Sequence, residues 1–151
     1  MYRVLFVCTG NTCRSPMAEA LFRRKLEEQG VSNIEVRSAG VAAVDGSPAS
    51  HGALEALRQR QIQGDKHRSQ MFTEELGQWA DLILTMTSSH KILLGDRFPQ
   101  YLDKMFTLKE FVGDSDHDIS DPFGGNQSVY EDAAQQIERA VSKLVEMMKQ
   151  G

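Results

Sequence analysis

Short apolar runs alternate with segments of helical period along this chain, and that alternation limits its fold more than any other feature. Val4 to Val7 is continuously apolar and β-rich, the pattern of a buried strand. Thr9-Gly10-Asn11 follows as a turn. Ser15-Pro16 then opens a helix, with serine as N-cap and proline in the first turn. Met17, Ala20, Leu21 and Leu26 give it a buried stripe, and Arg23, Arg24, Lys25, Glu27 and Glu28 a wet face. Gly30 ends it. Ile34 to Ala39 alternates as a half-buried strand.

The pattern continues. Ser50 to Ile62 reads as a helix with Ala53, Leu54 and Leu57 on its apolar face. Thr73 caps a short helix. Asp81-LILTM is another continuous apolar strand, and Ser88 to Leu94 a short helix stopped by Gly95. Lys104-MFTL is a weaker fourth strand. Val112 to Gly125 is polar, acidic and glycine-rich, a long surface loop. Ser128 to Lys149 carries Val129, Ala133, Ile137, Ala140, Val141, Leu144, Val145 and Met148 on one face. Strands alternating with helices imply right-handed crossovers. The expected fold is α/β: a doubly wound, four-stranded parallel sheet with helices on both faces. The 151 residues suit a single domain spanning 1–151.

Several function classes fall away on charge and hydropathy. A net charge of -4 gives no duplex-binding surface, and no apolar run is long enough to span a bilayer. The apolar run of MYRVLFVCTG is too short for a signal peptide, so the expected compartment is the cytoplasm. Two cysteines in a chain of this length are no secreted disulfide framework.

Ligands of open α/β sheets bind beyond the carboxyl ends of the strands. There lies VCTGNTCRSP, Val7 to Pro16, holding both cysteines. A zinc site needs three or four ligands. Cys8 and Cys13 lack CxxC spacing, and His51, His67, His90 and His117 are scattered, so no metal and no other cofactor is expected. An anion fits better. A strand-loop-helix segment turns backbone N–H groups inward at the positive end of a helix. Gly10 and Asn11 tolerate the left-handed backbone such a nest needs, and Arg14 can clamp two phosphate oxygens. No GK[ST] follows, which excludes a nucleotide P-loop. Cys8 would stand at the floor, where the donors that attract phosphate also stabilise a thiolate. A thiolate under a bound phosphate is a nucleophile aimed at phosphorus, and a phosphocysteine hydrolysed by water follows. The bland reading of Cys8 is a small apolar filler after a strand.

CTGNTCRSPMAEA resembles the loop of the low-molecular-weight protein tyrosine phosphatases: Cys, any, Gly, Asn, any, Cys, Arg, Ser, Pro. SAG at Ser38–Gly40, HRS at His67–Ser69 and DPFGGN at Asp121–Asn126 follow in the family's order, so the resemblance covers nearly the whole chain. It implies that Thr9, Gly10, Asn11, Thr12, Cys13, Arg14 and Ser15 form the phosphate-binding loop. Cys8 is then the nucleophile, Arg14 the phosphate clamp, and Ser15 a donor to the Cys8 sulfur. Asn11 holds the loop with support from Ser38 and His67. Asp121 is the general acid and then the base. Each has a plain structural rival: Ser15 as N-cap, Ser38 as a strand end, His67 as a core polar group. Asp116, Asp118 and Asp121 share one loop, and only the match of Asp121-Pro122 to the family selects among them.

Thr12 stands where family members acting on phosphotyrosine carry isoleucine or leucine, and Phe123 and Gly124 replace their tyrosines. Thr12 resembles the mark of the family's bacterial protein arginine phosphatases, which oppose an arginine kinase in stress and protein-degradation control. Thr12 leaves room for a branched polar phosphoguanidine. Asp121 can pair with and protonate it, and Phe123 can stack on it. Arginine-phosphorylated proteins are thus the expected partners of a monomeric enzyme, with no nucleic acid or membrane. Phosphotyrosine proteins are the alternative. Cys8 and Cys13 are also a candidate redox pair. Arsenate reductases share fold and loop but need further cysteines later in the chain, and none follows Cys13. A non-catalytic phosphate-binding or redox-sensing module is the remaining rival.

Overall fold

The computed structural model describes residues 1–150. Strand β1 is Tyr2–Cys8, β2 Ile34–Gly40, β3 Leu82–Thr85 and β4 Met105–Thr107. All are parallel, in the order β2-β1-β3-β4. Helix α1 is Arg14–Glu28, α2 His51–Arg58, α3 Glu74–Trp79, α4 Ser88–Arg97, α5 Leu108–Phe111 and α6 Gln127–Gln150. A 3₁₀ segment, Pro99–Lys104, precedes β4.

The period of two in β1 builds both faces of the sheet. Val4, Phe6 and Cys8 pack with Met17, Leu21 and Phe22 of α1 and with Ile137, Val141 and Leu144 of α6. Leu5 and Val7 face the other way, toward Leu76 of α3 and Leu94 of α4. Phe6 and Phe22 meet edge to face, centroids 5.6 Å apart. Burying each such side chain contributes about 1.5–3 kcal/mol. The two cores clamp β1 between them, so the loop leaving it starts from a rigid base. The expected doubly wound parallel sheet with helices on both faces is the observed one.

Three local readings change. Ser15 is not the N-cap of α1: Cys13 is, without a side-chain cap bond, and Ser15 lies inside the first turn. Pro16 costs nothing there, because the first four helical N–H groups have no intrahelical partner. Helix α2 ends at Arg58, short of Ile62. Gly95 does not stop α4, which runs on to Arg97; a side chain at Gly95 would meet Leu102 Cδ2 at 2.7 Å. The 3₁₀ segment and α5 carried no periodic signal, being too short to show one.

Gly30 ends α1 as expected. Its φ is 68°, its N–H bonds to the Glu27 carbonyl, and Val31 N–H bonds to that of Leu26. Among the described residues no helix is long and apolar enough to cross a membrane.

Candidate active site

The strand order reverses between β1 and β3, and a crevice opens there beyond their carboxyl ends. The loop Thr9–Cys13 fills it. The chain leaving β2 supports it from one side: Val41 N–H bonds to the Cys8 carbonyl and Ala42 N–H to the Thr9 carbonyl, both at 2.9 Å. A Cβ at Gly40 would overlap the Thr9 carbonyl oxygen and come within 3.0 Å of Asn11 N. The loop can only sit this close because residue 40 has no side chain.

Asn11 organises the interior of the loop. Its φ of 57° reverses the chain, and it is fully buried. Its Nδ2 donates to Ser15 Oγ at 2.8 Å and Ser38 Oγ at 2.9 Å, and its Oδ1 accepts from Gln70 N–H at 3.0 Å. His67 Nε2 lies 2.7 Å from its carbonyl oxygen. Ser38, with its oxygen occupied by Asn11, donates to Glu19 at 2.6 Å. The same logic orients Ser15. An amide nitrogen can only donate, so Asn11 takes up Ser15 Oγ as an acceptor. The Ser15 hydroxyl hydrogen is left for Cys8 Sγ at 2.9 Å, against a more distant Ala39 carbonyl at 3.5 Å.

A cavity of about 220 Å³ stands over this network, with Cys8 and Arg14 deep in it, Thr9 and Thr12 on its walls, and Asp121 and Phe123 at its mouth. Cys8 is 3% exposed and Phe123 80%, which gives the cavity its depth. Arg14, 5% exposed, donates to the Ile119 carbonyl at 3.0 Å, and its other terminal nitrogen is 3.7 Å from Asp121 Oδ2. Its remaining donors are available to an anion.

Three consecutive residues pin the loop that brings Asp121 there. Asp118 Oδ1 accepts from Ser88 N–H at 2.8 Å, Ile119 N–H bonds to the Met86 carbonyl at 2.9 Å, and Ser120 N–H to Gln136 Oε1 at 3.1 Å. Asp121 Oδ1 then accepts from Phe123 N–H at 3.0 Å. The geometry separates the three aspartates that shared one reading. Asp116 is paired with Lys109, and that bond holds its carboxyl below the usual range. Asp118 caps α4. Asp121 alone of the three lines the cavity.

Cys13 also lines the cavity. Its thiol donates to Ser50 Oγ at 3.3 Å and lies 3.5 Å from the Tyr130 hydroxyl. Burial, then the bond with Cys13, pushes the Tyr130 phenol up. Both cysteines are free thiols. Among the described residues no three His, Cys, Asp or Glu side chains gather as a metal site requires. Two participants had no local signal in the sequence: the Ile119 carbonyl on Arg14, and His90, whose Nε2 is 2.8 Å from Thr9 Oγ1. Each depends on long-range packing.

The model of the family described as low molecular weight phosphotyrosine protein phosphatase matches residues 3–151, and the chain belongs to that family. A protein-arginine-phosphatase of Geobacillus stearothermophilus is 48% identical, over 98% of this chain and 97% of its own. A solved YwlE arginine phosphatase, a cysteine-to-serine mutant with a phosphorylated active-site serine, is 46% identical with a TM-score of 0.94, covering 97% and 95% of the two chains. A low molecular weight protein tyrosine phosphatase from T. tengcongensis is also 46% identical, with a TM-score of 0.92 over 97% and 99%.

Proposed function

We propose that this chain hydrolyses phosphoarginine on proteins through a phosphocysteine at Cys8. The observation that carries the reading is that one cavity gathers a buried thiol, a buried guanidinium and a carboxylate at its mouth. The phosphoryl group enters the nest of loop N–H groups, and Arg14 clamps its oxygens. The Cys8 thiolate attacks phosphorus as the P–N bond breaks, and Asp121 gives its proton to the departing guanidine nitrogen. Arg14 and the loop donors stabilise the charge on the equatorial oxygens. Asp121, now a carboxylate, takes a proton from water, which attacks phosphorus. The S–P bond breaks, and the Ser15 hydroxyl stabilises the returning thiolate.

The identity to the Geobacillus phosphatase supports phosphoarginine as the substrate, as does the wall of the cavity. Thr12 is short enough to admit a branched guanidine, Asp121 offers its N–H groups a hydrogen-bond acceptor, and Phe123 a face to stack on. The same reading makes the protein a cytoplasmic monomer that opposes an arginine kinase under stress, with no metal or cofactor. It has a redox arm: peroxide converts Cys8 to a sulfenic acid, and the Cys13 thiol condenses with it, releasing water. Cys13 must first leave Ser50 and Tyr130. The test of mechanism is to incubate Cys8→Ser with an arginine-phosphorylated protein and locate phosphate by mass spectrometry. Phosphate on the substituted side chain is expected; its absence there, with wild type active, would reject Cys8 as the nucleophile.

A further inference from the structure

His90 is buried beside the cavity yet has no part in the mechanism above. It sits in the first turn of α4, with its N–H capped by Thr87 Oγ1 at 3.2 Å. The residue is 7% exposed. Among the described residues, His90 Nδ1 is the one buried side-chain nitrogen or oxygen without a hydrogen-bond partner. An orphaned buried nitrogen costs stability that an aliphatic side chain would not. The other nitrogen, Nε2, is 2.8 Å from the hydroxyl of Thr9, which is exposed and lines the cavity.

A threonine hydroxyl has one hydrogen and two lone pairs. If Nε2 carries the proton, it uses one lone pair. If it does not, it accepts the hydroxyl hydrogen. Either way the oxygen is fixed in place and keeps at least one lone pair for the cavity. A guanidinium presents only N–H groups and can use that acceptor; the ring of a phosphotyrosine cannot. Cys8, and with it the phosphoryl site, lies deep, whereas exposed Thr9 stands nearer the mouth, where the rest of the substrate passes.

We propose that Thr9 is a specificity-determining residue that accepts a hydrogen bond from the substrate guanidinium, and that His90 is the positioning residue that holds its hydroxyl. The inference rests on the phosphoarginine reading above. Burial, and then the charge of Arg14, push the His90 imidazole down to about 4. It is therefore neutral at physiological pH and puts no cation beside an incoming one.

The test compares kcat/KM on an arginine-phosphorylated peptide with kcat/KM on p-nitrophenyl phosphate, and reads the ratio. Thr9→Val and His90→Leu are each expected to lower the ratio about tenfold or more, the effect of losing a hydrogen bond to a charged group. The double variant should be no worse than Thr9→Val alone, because the two act as a unit. His90→Gln, whose amide reaches the Nε2 position, should restore most of the ratio. A merely structural His90 predicts equal losses on both substrates, with an unchanged ratio and no rescue; that result overturns the inference while leaving the phosphoarginine reading intact. A wild type with no activity on the peptide but activity on p-nitrophenyl phosphate overturns both.

Discussion

Arg14 donates to the backbone carbonyl of Ile119, so the guanidinium deep in the cavity is tied to the loop that carries Asp121. Ile119 is 1% exposed and bonds in turn to the Met86 carbonyl at the end of β3. Arg14 and Asp121 are thus held in one frame. Arg14→Lys keeps the charge but cannot both span that bond and grip two oxygens. It should lower kcat by about 10²–10³-fold, and Asp121→Asn by about 10²–10⁴-fold. Steady-state kinetics on a phosphoarginine protein check both, and a loss in KM alone would contradict these roles.

Gly40 should be as sensitive as a residue that touches substrate. Gly40→Ala drives a methyl group into the Thr9 carbonyl and against Asn11 N. Overpacking of this kind costs about 1–3 kcal/mol. The expected result is a lower Tm together with a loss of turnover, since the loop itself must move. Unchanged kinetics would show that the loop tolerates displacement.

Thr12→Ile should exchange substrates, lowering kcat/KM for phosphoarginine and raising it for a phosphotyrosine peptide. The larger side chain removes room from the cavity wall and adds an apolar surface for a ring. Equal kinetics on both substrates in wild type and variant would make Thr12 a neutral substitution.

His90 predicts a pH dependence of stability. Its folded value of about 4 lies below its ordinary 6.5, so between these values the unfolded chain binds a proton that the folded chain does not. Stability should therefore fall as pH drops from 6.5 toward 4, by roughly 3 kcal/mol from this group at 1.36 kcal/mol per unit. Urea denaturation at pH 7 and pH 4.5 should show a smaller difference in His90→Gln. An identical difference in both proteins would reject the assignment.

Cys13→Ser should leave peroxide inactivation irreversible, whereas thiol reductant should restore the wild type. Equal irreversibility in both would remove Cys13 as a resolving thiol.

The framework of this fold was legible in the sequence because it follows from local periods. Val4–Val7 and Leu82–Leu84 are short apolar runs that only a sheet covered on both faces can bury, and α6 repeats its apolar positions over its length. Ser15 misled because Ser-Pro is a sound N-terminal signal, and here Asn11 and Cys8 claim the hydroxyl instead. Gly95 misled because the close approach of Leu102, not a helix end, is what suits glycine there. At the site, the run from Cys8 to Ser15 declared itself by spacing. The choice of Asp121 over Asp116 and Asp118 needed family likeness, and their different partners appear only in three dimensions. Ile119 and His90 were invisible because their partners lie distant in the chain, and Gly40, within the SAG likeness, showed its contact with Thr9 and Asn11 only in three dimensions.

The most direct measurement is hydrolysis of an arginine-phosphorylated protein and a phosphotyrosine peptide by the purified, reduced protein, with Cys8→Ser as blank. Turnover that depends on Cys8 and a strong preference for phosphoarginine are expected. A preference for phosphotyrosine would contradict the substrate while leaving the chemistry of the cavity, and no turnover of either would contradict the enzyme.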